Sequence, residues 1–374
     1  MGRRTLARPL AGAFAALIVY ASLYPFEGWR SQEAPLLSFL WAPWPRYWTG
    51  FDVFSNLAGY APLGFLMGVW AWRASGSRWS LAAAVLAPSL LSLAMESLQV
   101  YLPSRVPSSV DWLLNTAGGW IGIALAWLAH RSGGLVRWQR LRHHWFVPDA
   151  HGALVLLVLW PAALLYPVAL PFGLGQVGSV IETRIVQWLA DTRFAHWWTV
   201  SDAQVGSLSL AMEAQCVALS VLVPCLLGYS VLRGLTRRLV HWAVFAVLGL
   251  GMSALSASLT YGPARAWAWL TEPVIVGLVL GGALGLMLVG LSRRASVVWM
   301  LLALVAALFL LNRMPGTPYL AESLDVWAQG RFIRFHGLTQ WLGWLWPYAV
   351  LVHGLGQVGR RSAPEAGGSY NAPP

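Results

Sequence analysis

Charge is the scarcest property of this chain of 374 residues: only 10 % are charged, and all 25 basic residues are arginine, with no lysine. With 57 % hydrophobic residues and a mean hydropathy of +0.59, this scarcity excludes an ordinary soluble globular protein. Cysteine is almost as rare. Cys216 and Cys225 are nine residues apart on one predicted helix, roughly 13 Å along its axis, which excludes a disulfide between them.

Long apolar runs take the place of charge. Each is about 17–25 residues long, enough for a helix to cross ~30 Å of hydrocarbon. The runs are continuous, not alternating, so they favour helices over a β-barrel. The sequence therefore predicts an all-α, polytopic membrane bundle of about ten helices, near residues 8–25, 52–72, 80–100, 112–129, 152–172, 206–232, 240–260, 273–291, 296–312 and 338–357.

The distribution of arginine predicts the orientation. Ten spans with both termini in the cytoplasm place 16 of the 25 arginines in inner loops and termini. The acidic residues of those segments are Asp149 and Glu365. The outer loops are longer and mix both signs of charge, as the positive-inside rule expects. The net charge of +11 is therefore interpreted as topology, and no nucleic-acid partner is expected.

Four segments follow from this pattern. Residues 1–130 are predicted to form a four-helix membrane domain, and 131–150 a basic cytoplasmic linker facing lipid headgroups. Residues 151–360 are predicted to form a six-helix membrane domain, and 361–374 a disordered tail. Two finer expectations concern the six-helix domain: an interfacial amphipathic helix near 180–199, and close helix packing at Gly277, Gly281 and Gly285.

A short polar pattern occurs twice in the first domain. Asp52-x3-Asn56 and Asp111-x3-Asn115 each open an apolar run, 59 residues apart, and each continues with Ala-Gly. Between them, a third run ends in Glu96-x2-Gln99 and is followed by Arg105. A carboxylate near the bilayer centre costs roughly 2.5–3.5 kcal/mol even on insertion scales, so this clustering indicates a site.

The topology brings these residues to one end of three helices. Residues three or four apart share a helix face, so each pair can point toward its neighbours in the outer leaflet. Helix capping is the alternative for Asp52 and Asp111, which lie at helix starts. Interhelical polar contact is the alternative for the amides. Glu96 fits neither alternative well, because it lies near a helix C-terminus, where the dipole disfavours a carboxylate.

The pattern resembles the VanZ-like family of bacterial membrane proteins, on helices one to four. The matching motifs are Asp52-x3-Asn56, Pro62-Leu-Gly64, Glu96-x2-Gln99, Arg105 and Asp111-x3-Asn115-x2-Gly118. The resemblance implies a multi-pass protein of the bacterial cytoplasmic membrane. It also implies a link to the cell envelope, since the family's namesake is associated with low-level resistance to the glycopeptide teicoplanin. It supplies no established reaction.

The first functional hypothesis is an outer-face pocket for a lipid-linked or glycan precursor of the envelope. Glu96, Asp111 and Asp52 are its candidate catalytic residues, with Glu96 as general acid or base. Arg105 would pair with a phosphate, while Asn56, Gln99 and Asn115 would bind and orient the substrate. In a variant of this hypothesis the three carboxylates hold Mg²⁺ or Ca²⁺. The cluster contains no histidine or cysteine, so a zinc or thiol site is not expected.

Two other classes stay open. Ten helices and intramembrane carboxylates also suit a transporter or lipid flippase, although transporter sites lie near the midplane and not at one face. A non-enzymatic binding or immunity module that shields a precursor is the third class. The sequence predicts membrane lipids as partners and leaves open the substrate, the oligomeric state and the role of the six later helices.

Overall fold

The computed structural model describes residues 7–24, 26–31, 35–44, 49–74, 77–190, 192, 209–312 and 333–359. Within these ranges every regular element is a helix, and a single isolated β-bridge joins Phe146 and Leu232. The chain forms two compact units, Met1–Arg142 and His143–Pro374. The division falls inside α5, Gly134–Trp145, so a helix occupies much of the predicted linker 131–150.

The first unit contains four apolar helices before α5. They are α1 (Ala7–Leu23), α2 (Gly50–Ala74), α3 (Arg78–Gln99) and α4 (Ser109–Arg131). All four lie where the apolar runs predicted them. The N-cap residues Ser77 and Ser108 start α3 and α4, since each side-chain oxygen accepts hydrogen bonds from backbone N–H groups of the first turn.

Helices α2 and α4 touch backbone to backbone. A methyl group added at Gly118 would lie 2.4 Å from the Leu57 carbonyl oxygen, and one at Gly122 would lie 2.0 Å from that of Ala61. At Gly64 the added methyl would lie 1.9 Å from the Gly119 oxygen. Small residues allow this approach, and close packing is the main attraction between helices in lipid. The contact brings the polar starts of α2 and α4 together.

The second unit contains the remaining helices of the described chain. These are α6 (His151–Ala163), α7 (Gly178–Leu189), α8 (Leu210–Val231), α9 (Leu235–Tyr261), α10 (Glu272–Met287), α11 (Arg293–Leu311) and α12 (Ile333–Gly359). The expected close packing of α10 is confirmed. Methyl groups at Gly277 and Gly281 would lie 2.6 and 2.7 Å from the backbone oxygens of Ala214 and Ala218 on α8.

The predicted span 152–172 is wrong in its second half. Helix α6 ends at Ala163 after 13 residues, about 20 Å, which is too short to cross the hydrocarbon layer. Pro167 and Pro171 explain the end, because proline cannot donate a helical hydrogen bond and disfavours helix in the residue before it. The chain from 164 to 177 is instead irregular and largely buried.

Side chains at the end of α11 and within α12 form hydrogen bonds with the backbone of this irregular stretch. The Gly175 carbonyl oxygen accepts from Asn312 Nδ2 at 3.2 Å and from the Tyr348 hydroxyl at 3.1 Å, and its N–H donates to the Gly343 oxygen at 2.9 Å. Asn312 Oδ1 also accepts from the N–H groups of Val177 and Gly178, at the start of α7. Irregular backbone at membrane depth needs such partners, because lipid supplies none.

Seven of the helices, α2, α3, α4, α8, α9, α10 (extended to Gly290) and α11, are long and apolar enough to cross a membrane. Helices α1 and α6 are apolar but shorter. The expected amphipathic helix near 180–199 corresponds to α7, which ends at Leu189, and most of its predicted second half lies outside the described residues. The predicted tail 361–374 also lies outside them.

Candidate functional site

The two copies of the polar pattern bind each other. Asn56 Nδ2 donates to Asp111 Oδ1 at 2.8 Å, joining the second turn of α2 to the first turn of α4. Asn56 is buried, and Asp111 is half-buried in the first turn of α4. A carboxylate there is favoured by the positive end of the helix dipole. Asn56 and Asp111, both predicted from sequence, therefore meet.

Asn115, one turn deeper on α4, binds the third helix. Its Nδ2 donates to the Ser92 hydroxyl of α3 at 3.0 Å, and both residues are buried. Its Oδ1, by contrast, meets no hydrogen-bond donor in the described part of the chain. The hydroxyl of Tyr60 on α2 is also buried, beside Ser92 and Glu96. A buried oxygen in the condition of Asn115 Oδ1 is uncommon and requires an explanation.

Glu96 is the most buried charged residue of the set, at 4 % exposure. Its Oε2 accepts a hydrogen bond of 2.9 Å from the backbone N–H of Ser108, the residue that caps α4. The carboxylate of α3 thus lies against the N-terminus of α4, where partial positive charge stabilises it. The dipole argument from α3 alone missed this partner, because it considered only the helix that carries Glu96.

Gln99 and Arg105 lie against the end of α1. Gln99 Nε2 donates to the carbonyl oxygen of Ser22 at 3.0 Å, and Arg105 Nη2 donates to that of Tyr24 at 2.9 Å. The last carbonyls of a helix have no partners within it, and these two side chains supply donors there. Arg105 is itself buried, so its positive charge lies inside the first unit.

Asp52 belongs to the start of its own helix. Its Oδ2 accepts from the backbone N–H and the hydroxyl of Thr49, at 2.9 and 2.8 Å, while its N–H donates to that hydroxyl at 3.3 Å. This reciprocal arrangement is a capping box. Capping, the alternative considered from sequence, thus describes these contacts.

The three carboxylates do not form the expected metal site. Asp52 faces Thr49, Glu96 faces Ser108 and Asp111 faces Asn56. Across the described ranges, no three His, Cys, Asp or Glu side chains lie close enough to hold a metal ion. Among the described residues, the Mg²⁺ or Ca²⁺ variant therefore lacks a set of three carboxylate ligands.

Tyr60 and Ser92 were missed by the sequence analysis. Both occur at helical spacing from residues that it did identify, since Tyr60 follows Asn56 by four residues and Ser92 precedes Glu96 by four. Extending each polar face by one turn would have included them. Together with Asn56, Glu96 and Asn115 they form what we call the polar core of the first unit. The polar core thus combines amide and hydroxyl groups with one carboxylate.

An all-helical first unit with membrane-length apolar helices and a buried polar core defines a helical membrane protein. Residues 10–130 match the model of the VanZ/LLP1 family, so this part of the chain is VanZ-like. The matched segment contains the whole polar core, and the resemblance inferred from the motifs is confirmed. No curated protein and no solved structure matches the chain.

Proposed function

We propose that the VanZ-like unit binds the polar head of a lipid-linked or glycan envelope precursor at the outer face of the bacterial cytoplasmic membrane. The observation that carries this proposal is the buried Asn115 Oδ1, which meets no hydrogen-bond donor among the described residues, with the Tyr60 hydroxyl buried in the same polar core. The first accepts a hydrogen bond and the second donates or accepts one. A sugar or amide headgroup offers both kinds of partner.

Charge supports an anionic part to this ligand. Arg105 adds a buried positive charge on the loop after α3, and guanidinium pairs well with phosphate. The start of α4 adds partial positive charge at the same end of the unit. The orientation predicted from the arginine distribution places this end on the outer side. Lipid-linked precursors carry a phosphate next to a polar head, and they fit this combination.

Binding is favoured over catalysis by the position of Glu96. Its Oε2 accepts from the Ser108 N–H at the start of α4, which we interpret as a positioning role. In this proposal Asp111 and Asp52 likewise position helix starts, and Gln99 supports α1. An effect on glycopeptide tolerance would then follow from sequestering a precursor, as expected for a binding or immunity module.

Native mass spectrometry of the full chain tests the proposal. The purified protein is offered a polyprenyl phosphate bearing one sugar, and separately a polyprenol of equal length. We expect binding of the first only, weakened about tenfold by Asn115→Leu, since a lost hydrogen bond to a buried partner costs about 1–3 kcal/mol. Thr116→Val is the matched control: it lies on the same helix, and its hydroxyl already binds Ser89 at 3.2 Å.

A second pair of variants tests the phosphate. Arg105→Gln should weaken binding, whereas Arg30→Gln, which changes an exposed arginine of the same unit, should not. Equal affinity of wild type, Asn115→Leu and Arg105→Gln for the sugar-phosphate lipid would refute the proposed pocket. The polar core would then serve only to hold the helices together.

Transport is a second candidate, and one observation in the second unit favours it. The irregular stretch after α6 lines a cavity of about 280 Å³, together with Glu213 at the start of α8 and Arg265 after α9. Broken helices and polar cavities occur together in transporters. Uptake of radiolabelled lipid or solute into proteoliposomes, lost with Glu213→Gln but kept with Glu272→Gln, would support this function for the second unit.

A further inference from the structure

A large cleft opens at the end of the second unit where α8 ends and α11 begins. Its volume is about 1060 Å³, at the upper end of the range for small-molecule sites. Helices α11 and α12 supply most of its lining residues, and the chain before α6 and the end of α8 supply the rest. The cleft lies within one unit and is separate from the polar core.

Positive charge dominates one wall of the cleft. Arg293 and Arg294 are the first two residues of α11, following the N-cap Ser292. Helix N-termini normally carry acidic residues, because the dipole is positive there, so two arginines increase an already positive potential. Asp149 is the sole carboxylate among the described residues that line the cleft.

A third arginine lies nearby. Arg238 is buried and donates to the backbone oxygens of Val289 and Leu291, just before α11, and it lies close enough to Arg293 for their charges to interact. Three positive charges and a helix N-terminus at one end of the bundle attract an anion. The chain after α12 continues with Arg360 and Arg361, so its sequence adds no acidic counterpart directly after that helix.

Two residues of α12 add hydrogen-bonding side chains to the lining of the cleft. His353 and Gln357 lie one turn apart on α12, with Nε2 of each 2.9 Å from the other. Gly152 permits this position, since an added methyl there would lie 2.8 Å from the His353 ring. The histidine and glutamine therefore line the same cleft as the arginines and add hydrogen-bonding groups for a phosphate.

The rest of the lining is apolar. Valines from all four sources contribute to it: Val147, Val231, Val297, Val298, Val352 and Val358. A free inorganic anion has no apolar surface to bury against such walls. The glycerol and first methylenes of a lipid do, and they would be removed from water there. The arginine distribution predicts that this end of the bundle is cytoplasmic, where a basic patch beside apolar walls suits an anionic lipid headgroup.

We propose that this cleft binds the phosphate headgroup of an anionic phospholipid from the cytoplasmic leaflet, with Arg293 and Arg294 pairing the phosphate and the valines covering the glycerol region. The site is independent of the envelope-precursor pocket proposed for the first unit. Its ligand belongs to the bulk membrane, and its effect would be to anchor the second unit.

Native mass spectrometry of the full chain, with phosphatidylglycerol or phosphatidylcholine of identical acyl chains, tests the proposal. We expect one retained phosphatidylglycerol and a preference over phosphatidylcholine. Arg293→Gln/Arg294→Gln should weaken that binding by about tenfold to thirtyfold, given the contribution of each basic residue near a lipid surface. Arg30→Gln/Arg78→Gln is the matched control, since it removes equal charge from exposed positions of the first unit.

A second variant tests the cleft itself. Val298→Trp places bulk at a half-exposed lining residue and keeps every arginine. It should lower phosphatidylglycerol binding, and it keeps the test decisive if the double arginine variant fails to fold. Equal binding of both lipids, or binding unaffected by both cleft variants, would overturn the proposal. Displacement of the lipid by millimolar inorganic phosphate would overturn the lipid assignment and indicate a free anion.

Discussion

The amide nitrogen of Asn56 lies 2.8 Å from Asp111 Oδ1, so the second polar residue of one repeat copy binds the first polar residue of the other. The copies are therefore not two equivalent sites. Asn115, the counterpart of Asn56, turns to Ser92 on α3 instead. The first copy of the pattern thus supplies Asn56 for the hydrogen bond between α2 and α4, which we call the clamp. The second copy supplies Asn115, whose oxygen meets no donor among the described residues.

The clamp should be measurable as an energetic coupling between the two residues. We expect a double-mutant cycle of Asn56→Ala and Asp111→Ala to give a coupling free energy of about 0.6–1.7 kcal/mol, the range for interhelical hydrogen bonds in membranes. Thermal unfolding followed by far-UV circular dichroism supplies the four values. Additive effects of the two substitutions would show that the contact contributes nothing of its own.

The repeat also contains a matched pair of glycines. Gly118 touches the backbone of Leu57, whereas nothing lies within 4 Å of a methyl group placed on Gly59. Gly118→Ala should therefore lower the free energy of unfolding by about 1–3 kcal/mol through overpacking. Gly59→Ala should leave it unchanged or raise it by up to about 1 kcal/mol, because alanine favours helix. Equal effects of the two substitutions would contradict the close approach of α2 and α4.

Two substitutions of Glu96 distinguish a positioning role of this residue from a catalytic role. Glu96→Gln keeps an oxygen that accepts from the Ser108 N–H, so the start of α4 and precursor binding should survive within a fewfold change. Glu96→Ala leaves that buried N–H unpartnered and should cost about 1–3 kcal/mol of stability. Chromatographic monodispersity and the binding assay described above measure both. A turnover abolished by Glu96→Gln, with the protein folded and the lipid still bound, would instead establish a catalytic acid or base.

Asn312 should be essential to the second unit. Its side chain accepts from Val177 and Gly178 and donates to Gly175, replacing the helical hydrogen bonds that the stretch after α6 lacks. We expect Asn312→Leu to lower the free energy of unfolding by about 2–4 kcal/mol, since several buried groups lose partners. Thr260→Val is the control, because the Thr260 hydroxyl donates to Ser256 of its own helix.

The two native cysteines make that measurement simple. Cys216 and Cys225 are buried in α8, at 0 % and 4 % exposure, and both are free thiols. A thiol-reactive fluorophore should label the folded protein only on unfolding, which gives the midpoint temperature of the second unit directly. Asn312→Leu should shift that midpoint down by several degrees, while Thr260→Val should not. Rapid labelling of the native protein at low temperature would contradict the burial of α8.

The positions of most helices were predictable from the sequence, because a membrane helix corresponds to a local run of apolar residues. Apolar runs located α1 to α4 and α8 to α12, since a helix in lipid satisfies its own backbone. Spacing placed Asn115 one turn from Asp111, and Gly277 and Gly281 predicted close helix packing of α10, for which the structure supplies α8 as the partner. The same motifs predicted the VanZ-like character of residues 10–130.

Partner choice was decided only by the tertiary structure. Whether Asn56 meets Asp52, Glu96 or Asp111 depends on how α2, α3 and α4 rotate and slide against one another, and local spacing does not encode that. The dipole of α3 alone disfavours Glu96 at the end of that helix, and the packing of the start of α4 beside it supplies the compensating partner. The irregular backbone beyond α6 likewise depends on Asn312, 137 residues after Gly175, whose side chain donates to the Gly175 oxygen. The sequence determined which segments are helices and which helix faces are polar, because both are properties of a single helix. Packing decided which groups meet, because a hydrogen bond between two helices depends on the positions and rotations of all the helices that pack together.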